Sequence, residues 1–496
     1  MATLTPIPSS LRLAALAACR QQRQVAHQAT AQWPRHYTLA FPSRRRPPPP
    51  PLRHDRSRQL STSTASSAAT VTAADGLQDI KLPTLDDLYL KEGDNVVVAM
   101  SGGVDSSLTL RLLANLPLKL TVLFMRNWDP LLSEEAAADD RGDTHDTTLS
   151  YSSRDAGSSS RVPNLSPCAW ERDWADVKRV CAHVGIPEQD ISLLDLSKEY
   201  WSRVFEPAVA VWEAGQTPNP DVACNREIKF GALMQHIQPG HYLATGKWRR
   251  LSHYARVVRS PAGDATLHRA IDSNKDQTYY LSQVPRDQLA KAVFPLAGIP
   301  KPSVRDLAAH FALPTADREE SMGVCFIGER GHFGDFVSQY TSPPSSTGYL
   351  VDTAGKRFGV HRGSHYYTIG QRARVGGMDG RWYVAQKGVG ESGNDILLVH
   401  GGDHPALQCK ELACGEFNWI AGAPPPELED GGVLDAMVQV RHRMSAVKAQ
   451  VELVDGRVHI TFDDTVVGVA PGQIAGVWKD DQCLGSGLIA TTRCLE

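Results

Sequence analysis

The sequence contains no run of about 18 apolar residues, so we predict no membrane insertion. Its 9 cysteines are too few for a disulfide scaffold, and none belongs to a CxxC pair, which argues against a zinc ribbon or a thioredoxin-type site. The chain has 496 residues, of which 42% are hydrophobic and 22% are charged. This length and composition are ordinary for a globular protein of about three domains.

Acidic residues are absent from the first 54 positions, and residues 1–76 contain ten arginines and no lysine. An Arg-rich and Ser-rich start without acids is typical of an organelle transit peptide. We therefore predict a leader over 1–76 and a location in the mitochondrial matrix, with the plastid less favoured; a basic tail without a targeting role is the alternative. The rest of the chain has 42 basic and 53 acidic residues, so RNA contacts would require a local basic surface.

A short apolar run at 96–100 predicts a strand that is buried on both faces. Directly after it come the small residues SGGVDSS (101–107), and then leucines at helical spacing. A glycine-bearing turn between a strand and a helix N-terminus can bind phosphate through backbone N–H groups. This turn matches neither GxxxxGK[ST] nor GxGxxG, which indicates a different nucleotide chemistry; a turn without a ligand is the alternative.

Further runs at 120–125, 191–194 and 241–245 predict buried strands, and apolar stripes at 174–184 and 230–237 predict helices. This alternation predicts a doubly wound parallel sheet that binds its ligand at the carboxyl ends of the strands. Met125 and Gly246 lie at such ends and are candidates for adenine contacts; a core methionine and a plain turn glycine are the alternatives.

Two patterns in the second half of the chain concern local structure. Alternating apolar residues around Asp455-Gly456 predict a hairpin within a small C-terminal β-barrel. Ser303 and Asp306 predict a capped helix start that opens a helix over 304–311.

Several segments carry more specific information. They are SGGVDSS (101–107), TPNPDVACNREIKF (217–230), KDQTYYL (275–281), GVCFIGER (323–330), HRG (361–363) and YTIGQR (367–372). In this order they resemble the tRNA-specific 2-thiouridylases of the PP-loop ATP pyrophosphatase superfamily. The resemblance covers roughly residues 90–496, apart from an acidic and Ser-rich stretch at 133–164. Eukaryotic members of this family are mitochondrial, which agrees with the predicted leader.

The resemblance implies an α/β fold. A doubly wound, parallel-sheet PP-loop domain (adenine nucleotide alpha hydrolase-like) is followed by a small β-rich middle domain and a C-terminal β-barrel. We expect the leader at 1–76, the PP-loop domain at 77–300 with a disordered insertion at 133–164, the middle domain at 301–425 and the barrel at 426–496. The middle domain would carry the second catalytic cysteine. Nothing in the sequence requires an oligomer, so we expect a monomer.

The resemblance also implies ATP as a substrate, with Mg²⁺ near Asp105. The implied ATP-binding residues are those of the strand end and turn, together with the two candidates at other strand ends: Ala99, Met100, Ser101, Gly102, Gly103, Val104, Asp105, Ser106, Met125 and Gly246.

Replacing a carbonyl oxygen by sulfur requires that oxygen to become a leaving group, which adenylation achieves, and it requires a sulfur nucleophile. By resemblance, Cys325 carries a persulfide whose sulfur comes from a donor protein, a cysteine desulfurase or a relay protein. Cys224 is the partner thiol, and the two pass through a disulfide. Asp221 would be the general acid/base, with Asn219 and Pro220 shaping the pocket of the target base. For each cysteine alone, a small buried hydrophobe is the alternative. An iron–sulfur cluster on Cys224, Cys325 and Asp221 is a competing use.

The substrate would be the wobble uridine of a tRNA, lifted from the anticodon stack so that its C2 carbonyl is accessible. Lys275, Asp276 and Gln277 match the tRNA-contacting segment of the family. Arg441 and His442 match a second contact, where the family usually has Arg-Tyr. Solvated surface charge is the alternative for Lys275 and Arg441. Two other functions remain open: another PP-loop adenylating ligase that modifies tRNA, and a tRNA-binding relative without catalytic activity.

Overall fold

A computed structural model of the chain describes residues 70–71, 80–128, 169–245, 254–261, 263–319, 333–342, 347–376 and 379–495. These residues lie in one unit, Ser66–Glu496. The predicted leader, except for residues 70–71, and the predicted insertion at 133–164 lie outside the described residues. So do two predicted site residues, Gly246 and Cys325.

The secondary structure of the described residues is mixed. The strands are β1 Thr70–Val71, β2 Ile80–Lys81, β3 Asn95–Met100, β4 Lys119–Arg126, β5 Ile191–Asp195, β6 Tyr242–Thr245, β7 Ala255–Arg259, β8 Ala265–Arg269, β9 Ala292–Val293, β10 Tyr349–Val351, β11 Arg357–Val360, β12 Arg372–Ala373, β13 Trp382–Val389, β14 Asp395–His400, β15 Gln408–Trp419, β16 Val433–Gln439, β17 Val447–Val454, β18 Arg457–Val467, β19 Ile474–Lys479 and β20 Gln482–Cys494. The α-helices are α1 Val104–Leu113, α2 Ala169–Val184, α3 Ser197–Tyr200, α4 Glu206–Glu213, α5 Pro220–Cys224, α6 Leu233–Gln235, α7 Thr278–Leu281, α8 Arg286–Leu289, α9 Lys301–His310 and α10 Phe333–Val337. Trp201–Phe205 and Asn225–Ala232 are π-helical, and Glu188–Asp190, Ser364–Tyr366, Pro405–Leu407 and Pro426–Gly431 form 3-10 turns.

The first sheet has the order β5-β4-β3-β6-β9, and all of its neighbouring strands are parallel. This confirms the predicted doubly wound sheet. Side chains of the central strand β3 alternate between two apolar cores: Val98 and Met100 pack on one face, and Val97 and Ala99 pack on the other. The turn at 101–107 therefore leaves the carboxyl end of a strand that is covered on both sides.

Two local predictions were wrong. The run at 191–194 was expected to be a buried strand, but β5 is an edge strand whose Leu193 is 39% exposed, because only one neighbouring strand covers it. The predicted cap at Ser303 is absent. Helix α9 begins at Lys301 after Pro300, with Pro302 in its first turn and no capping side chain, since proline already fixes the backbone angle that a first turn needs.

A second sheet has the order β11-β10-β14-β13-β12. The third is a closed barrel, β15-β18-β17-β16-β19-β20, in which β15 also pairs with β20. Its first strand, β15, lies before the expected boundary at 426. The hairpin predicted at Asp455-Gly456 joins β17 and β18, and both residues adopt positive φ. A hairpin from the first domain, β7–β8, extends the barrel through β8 and β20. No helix among the described residues is long and apolar enough to cross a bilayer.

Candidate active site

The turn between β3 and α1 is organised by its own serines. Ser106 Oγ donates to the carbonyl of Gly103 at 2.9 Å and accepts from the N–H of Ser101 at 3.2 Å. Ser107 Oγ donates to the same carbonyl of Gly103 at 2.9 Å. No side chain caps the N-terminus of α1. A ten-residue helix that starts at this turn without a capping side chain suits an anion, so the residues present fit a phosphate group.

Gly102 is held against a distant part of the chain. Its φ is +76°, and a Cβ atom at this position would lie 2.6 Å from the carbonyl oxygen of Asp173. Arg318 Nη1 donates to the Gly102 carbonyl at 2.6 Å, and the same guanidinium pairs with Asp173 and Asp176 of α2. Arg318 thus ties the turn to α2, and only glycine fits this close approach.

Asp105 does not face open space. Its side chain is fully buried, and Lys301 Nζ lies 2.5 Å from its Oδ1. The turn at 101–107 contains no lysine of its own. The ammonium group beside it is that of Lys301 from α9, and it pairs with Asp105. Direct coordination of Mg²⁺ by this oxygen does not fit the arrangement, because the Lys301 ammonium takes that place. No group of three or more His, Cys, Asp or Glu side chains suited to a metal lies among the described residues.

Of the two predicted adenine contacts, Met125 and Gly246, the structure describes only Met125. Met125, at the end of β4, is 2% exposed and packs with Ala99 in the same apolar cluster as Cys224. Met100 faces the opposite core. Gly246 lies outside the described residues, so its role stays a prediction.

The segment 217–224 ends in the short helix α5, Pro220–Cys224. The side chain of Asn219 caps α5 by accepting from the N–H of Val222 at 3.3 Å, and Pro220 occupies the first turn. Asp221 lies in that first turn, and Cys224 ends the helix and is 2% exposed. Asp221 and Cys224 therefore sit one helical turn apart on one rigid element.

A residue that the sequence analysis missed positions this segment. Gln473, which precedes β19, donates from Nε2 to the carbonyls of Thr217 and Pro218 at 3.0 and 3.3 Å. Its Oε1 accepts from Asn219 Nδ2 at 3.2 Å. The preceding Gly472 packs on the backbone of Thr217, where a Cβ would lie 2.8 Å from the nitrogen. The sequence indicates a turn at Pro471-Gly472, but no local pattern reveals its partner.

A cavity of about 890 Å³ opens beside α5. Its wall includes Asn219, Pro220 and Asp221 from the first domain and Gln473 from the barrel. The second sheet and its approaches contribute Arg362 of HRG and four residues of YTIGQR. The lining residues from this part of the chain include three arginines: Arg362, His365, Tyr366, Tyr367, Thr368, Gln371, Arg372 and Arg374. A second cavity, of about 560 Å³ beside β7, contains none of the predicted site residues.

Two further side chains near this cavity were not singled out from the sequence. Burial lowers the pKa of His365, and its Nε2 has no hydrogen-bond partner among the described residues. Lys387 of β13 donates to the carbonyl oxygens of Tyr367 at 3.0 Å and Gln216 at 3.4 Å, and burial lowers its pKa to about 8. Lys387 thereby joins the second sheet to the residue just before the 217–224 segment.

Cys325 lies outside the described residues, but both flanks of its segment are placed. On one side, Arg318 binds the turn at Gly102. On the other, Phe333 and Gly334 line the cavity, and Phe333 packs edge-to-face on Trp212 at 5.4 Å. The described residues on either side of 320–332 therefore lie at the turn of residues 101–107 and at the cavity. No two described cysteines are joined by a disulfide, so the pairing of Cys224 with Cys325 and the iron–sulfur alternative both stay hypotheses.

Comparison with known families gives three consecutive matches. The model described as the tRNA methyl transferase HUP domain matches residues 94–329, the tRNA methyl transferase PRC-barrel domain matches 334–399, and the aminomethyltransferase beta-barrel domain matches 409–489. The first match includes both the turn at 101–107 and the segment 217–224, and it extends past Cys325.

The chain is also similar to curated proteins over most of its length. The tRNA-specific 2-thiouridylases MnmA of Francisella tularensis subsp. tularensis (strain WY96-3418) and of subsp. novicida (strain U112) are each 36% identical to it over 407 residues. These alignments cover 80% of this chain and 99% of each relative. The chain belongs to the tRNA-specific 2-thiouridylase family.

The family resemblance predicts two segments that contact RNA. The first is Lys275-Asp276-Gln277, in which only Lys275 is exposed. The Asp276 carboxylate accepts from Arg269 at 2.9 Å, from Thr278 Oγ1 at 2.7 Å and from a backbone N–H. Gln277 is 6% exposed, and its Oε1 has no partner among the described residues. The segment therefore exposes only the Lys275 ammonium, because Asp276 is hydrogen-bonded within the protein and Gln277 is buried.

The second segment that is expected to contact RNA, Arg441-His442, lies against helix α7, which directly follows the first. Arg441 donates to the carbonyl of Val467 at 2.6 Å and to that of Gly468. His442 packs on Tyr280 with ring centroids 4.3 Å apart. Burial and the charges of Arg443 and Lys275 lower the pKa of His442 to about 4, so this ring is neutral at pH 7. It offers stacking where the family usually has tyrosine, and it offers no positive charge.

Proposed function

We propose that the protein is an ATP-dependent tRNA sulfurtransferase that converts the wobble uridine of a tRNA to 2-thiouridine. The cavity beside α5 carries this proposal, because it brings together a carboxylate, a nearby thiol and a rim of arginines. Arg372 and Arg374 are exposed at this rim and form no ion pair with a described residue, which suits RNA phosphates. The names of the relatives support uridine in tRNA as the substrate.

The first step in this proposal activates the base. The C2 oxygen of the flipped uridine attacks the α-phosphorus of ATP, and pyrophosphate leaves. Ser101–Ser106 and the N-terminus of α1 would hold the pyrophosphate, and Arg318 fixes the backbone that forms this cradle. Asp221, on the cavity wall beside Asn219 and Pro220, would take and return the proton of the base.

The second step transfers sulfur. The terminal sulfur of a Cys325 persulfide, loaded by a donor protein, attacks C2 and AMP leaves, which gives a disulfide between the base and Cys325. The Cys224 thiolate then attacks the Cys325 sulfur, releases 2-thiouridine and leaves a Cys224–Cys325 disulfide, which an external thiol reduces. The position of Cys224 on the same short helix as Asp221 supports this assignment.

A thiolation assay tests the proposal. Purified protein, ATP, a persulfide source and unmodified tRNA are expected to yield thiolated tRNA, which migrates more slowly in mercury-containing gels. Cys224→Ser and Cys325→Ser are each expected to abolish the shift while tRNA binding, measured by filter retention, stays within about twofold. Cys414→Ser is the matched control for Cys224→Ser, because Cys414 is as buried as Cys224 but lies in the barrel core.

The alternatives predict other results. Continued thiolation by Cys224→Ser or Cys325→Ser would overturn the roles assigned here. A wild-type protein that binds tRNA but never thiolates it would indicate a non-catalytic relative. ATP cleavage that depends on tRNA but not on sulfur, with another product on the base, would indicate a different adenylating ligase.

A further inference from the structure

The barrel contains a pair of cysteines that the proposed chemistry does not use. Cys409 is near the start of β15, and Cys494 ends β20, so the two residues are 85 positions apart in sequence. They face each other directly where β15 and β20 pair to close the barrel. Both side chains pack in the barrel core. The two thiols therefore meet at the seam of a closed sheet.

The register makes this a favourable position for a covalent link. The N–H of Leu495 donates to the carbonyl of Gln408 at 2.9 Å, which makes 408 and 495 a hydrogen-bonded pair. The next opposed pair, Cys409 and Cys494, is then a non-hydrogen-bonded pair, where Cα atoms are typically about 4.5 Å apart and side chains are closest. This separation is within the range that disulfides span.

The two thiols differ in exposure. Cys409 is 0% exposed, and its Sγ also contacts the carbonyl of Glu411 at 3.2 Å. Cys494 is half-buried and lies two residues from the end of the chain. A hydrogen bond with Cys409 lowers the pKa of Cys494 to about 7, whereas the same contact and burial raise the pKa of Cys409. The accessible sulfur is thus the one that ionises near neutral pH.

We propose that Cys409 and Cys494 form an oxidation site for small hydroperoxides, which closes to a cross-strand disulfide at the barrel seam. The Cys494 thiolate attacks one peroxide oxygen, the O–O bond breaks, and with one proton the products are a sulfenic acid and water. The Cys409 thiol then attacks the Cys494 sulfur and a second water leaves. The two thiols together lose two electrons to the peroxide, and a dithiol reductant reverses the change.

The seam lies next to a surface that the proposed function uses. Gln408 is opposite Val467 in the pairing of β15 with β18. The carbonyls of Val467 and Gly468 are the acceptors that hold Arg441. Closing the disulfide cross-links the first and last strands of the barrel and stiffens the sheet that carries these acceptors. The inference itself does not depend on thiolation activity.

Peroxide treatment of the full-length protein tests the proposal. Reduced, desalted protein is exposed to a small excess of hydrogen peroxide, quenched with iodoacetamide and digested without reductant. We expect a peptide linking Cys409 and Cys494, about 2 Da lighter than the two thiol peptides, which dithiothreitol removes. It should form at least about tenfold faster than Cys414 is oxidised, since burial raises the pKa of Cys414 to about 12. Peptides with Cys224 and Cys325 are followed separately.

Two variants and one physical measurement complete the test. Cys494→Ser, a change at a half-buried strand end, should remove both the linked peptide and the rise in melting temperature that oxidation gives the wild type. Cys414→Ser, on the same strand β15, should retain both. A Cys494 sulfinic acid without the linked peptide, a link that forms no faster than Cys414 oxidation, or a linked protein with an unchanged melting temperature would each overturn the proposal.

Discussion

Among individual residues, the buried pair of Asp105 and Lys301 bears most directly on the turn at 101–107. Their side chains are 0% and 9% exposed. Lys301→Met is expected to lower the free energy of unfolding by about 3–5 kcal/mol, because it removes an ammonium group that is paired with the buried Asp105 carboxylate. Urea denaturation followed by tryptophan fluorescence measures this loss.

The control for this prediction is an ion pair on the surface. Lys479 and Glu427 are 2.6 Å apart and exposed, so Lys479→Met should change stability little. The double variant Asp105→Asn with Lys301→Met should lose less than Lys301→Met alone, since the buried carboxylate that the ammonium offsets is then neutral as well. A loss for Lys301→Met that is no larger than the loss for Lys479→Met would contradict the argument.

Sequence motifs predict the chemical role of a side chain better than they predict which groups that side chain contacts. Asp221 was predicted from its motif, and the structure places it on a cavity wall. The partners Lys301, Arg318 and Gln473 were not predicted, because each lies far along the chain from the group it binds and no local pattern records such a contact. For the same reason, the resemblance predicted Asp276 as an RNA contact, although its carboxylate accepts hydrogen bonds within the protein.

At the scale of elements, the junction of β3 and α1 depends on one glycine. Gly102→Ala is expected to lower the free energy of unfolding by about 2–4 kcal/mol. About 1–2 kcal/mol comes from the positive φ, and the rest comes from a Cβ that meets the Asp173 carbonyl 2.6 Å away. The measurement is urea denaturation, and ATP affinity by calorimetry should fall in parallel because the turn must shift.

Gly93→Ala is the matched control for that substitution. Gly93 has a similar φ of +83°, but a Cβ there would meet nothing within 4 Å. It should therefore show only the conformational cost of about 1–2 kcal/mol and no change in ATP affinity. Equal losses for Gly93→Ala and Gly102→Ala would show that the contact with α2 does not constrain the turn.

The spacing of apolar residues predicted the strands themselves more reliably than it predicted which elements pack against or pair with them. The apolar runs at 96–100 and 120–125 became β3 and β4, and Asp455-Gly456 became a hairpin turn, because each pattern is complete within a few residues. Periodicity could not reveal that β5 is an edge strand, since burial depends on what covers a strand. It also could not predict that β8 pairs with β20 more than 200 residues later.

At the scale of the whole molecule, the cavity lies where the second sheet and the barrel approach the segment 217–224. The N–H of Thr217 donates to the carbonyl of Pro471 from the barrel at 3.0 Å. Lys387 from the second sheet reaches the carbonyl of Gln216. The segment that carries Asp221 and Cys224 is therefore fixed from both sides by later parts of the chain. The order of the three domains was predictable from motifs, but this docking was not, since it depends on single hydrogen bonds to backbone carbonyls.

Lys387 makes this docking sensitive to pH. Its pKa is about 8 in the folded protein, against an ordinary value of 10.5, because burial disfavours the charged form. Below pH 8 Lys387 is protonated in both the folded and the unfolded protein, so the folded protein bears the full free-energy cost of burying the ammonium. Between pH 8 and 10.5 the unfolded chain holds a proton that the folded protein has released, so this group favours folding more strongly as pH rises.

Urea denaturation at pH 7.5, 8.5 and 9.5 should therefore show wild type gaining stability relative to Lys387→Met, whereas the exposed control Lys448→Met should follow wild type. A difference between wild type and Lys387→Met that stays flat across this range would mean that the ammonium is solvated and does not hold the second sheet to Gln216.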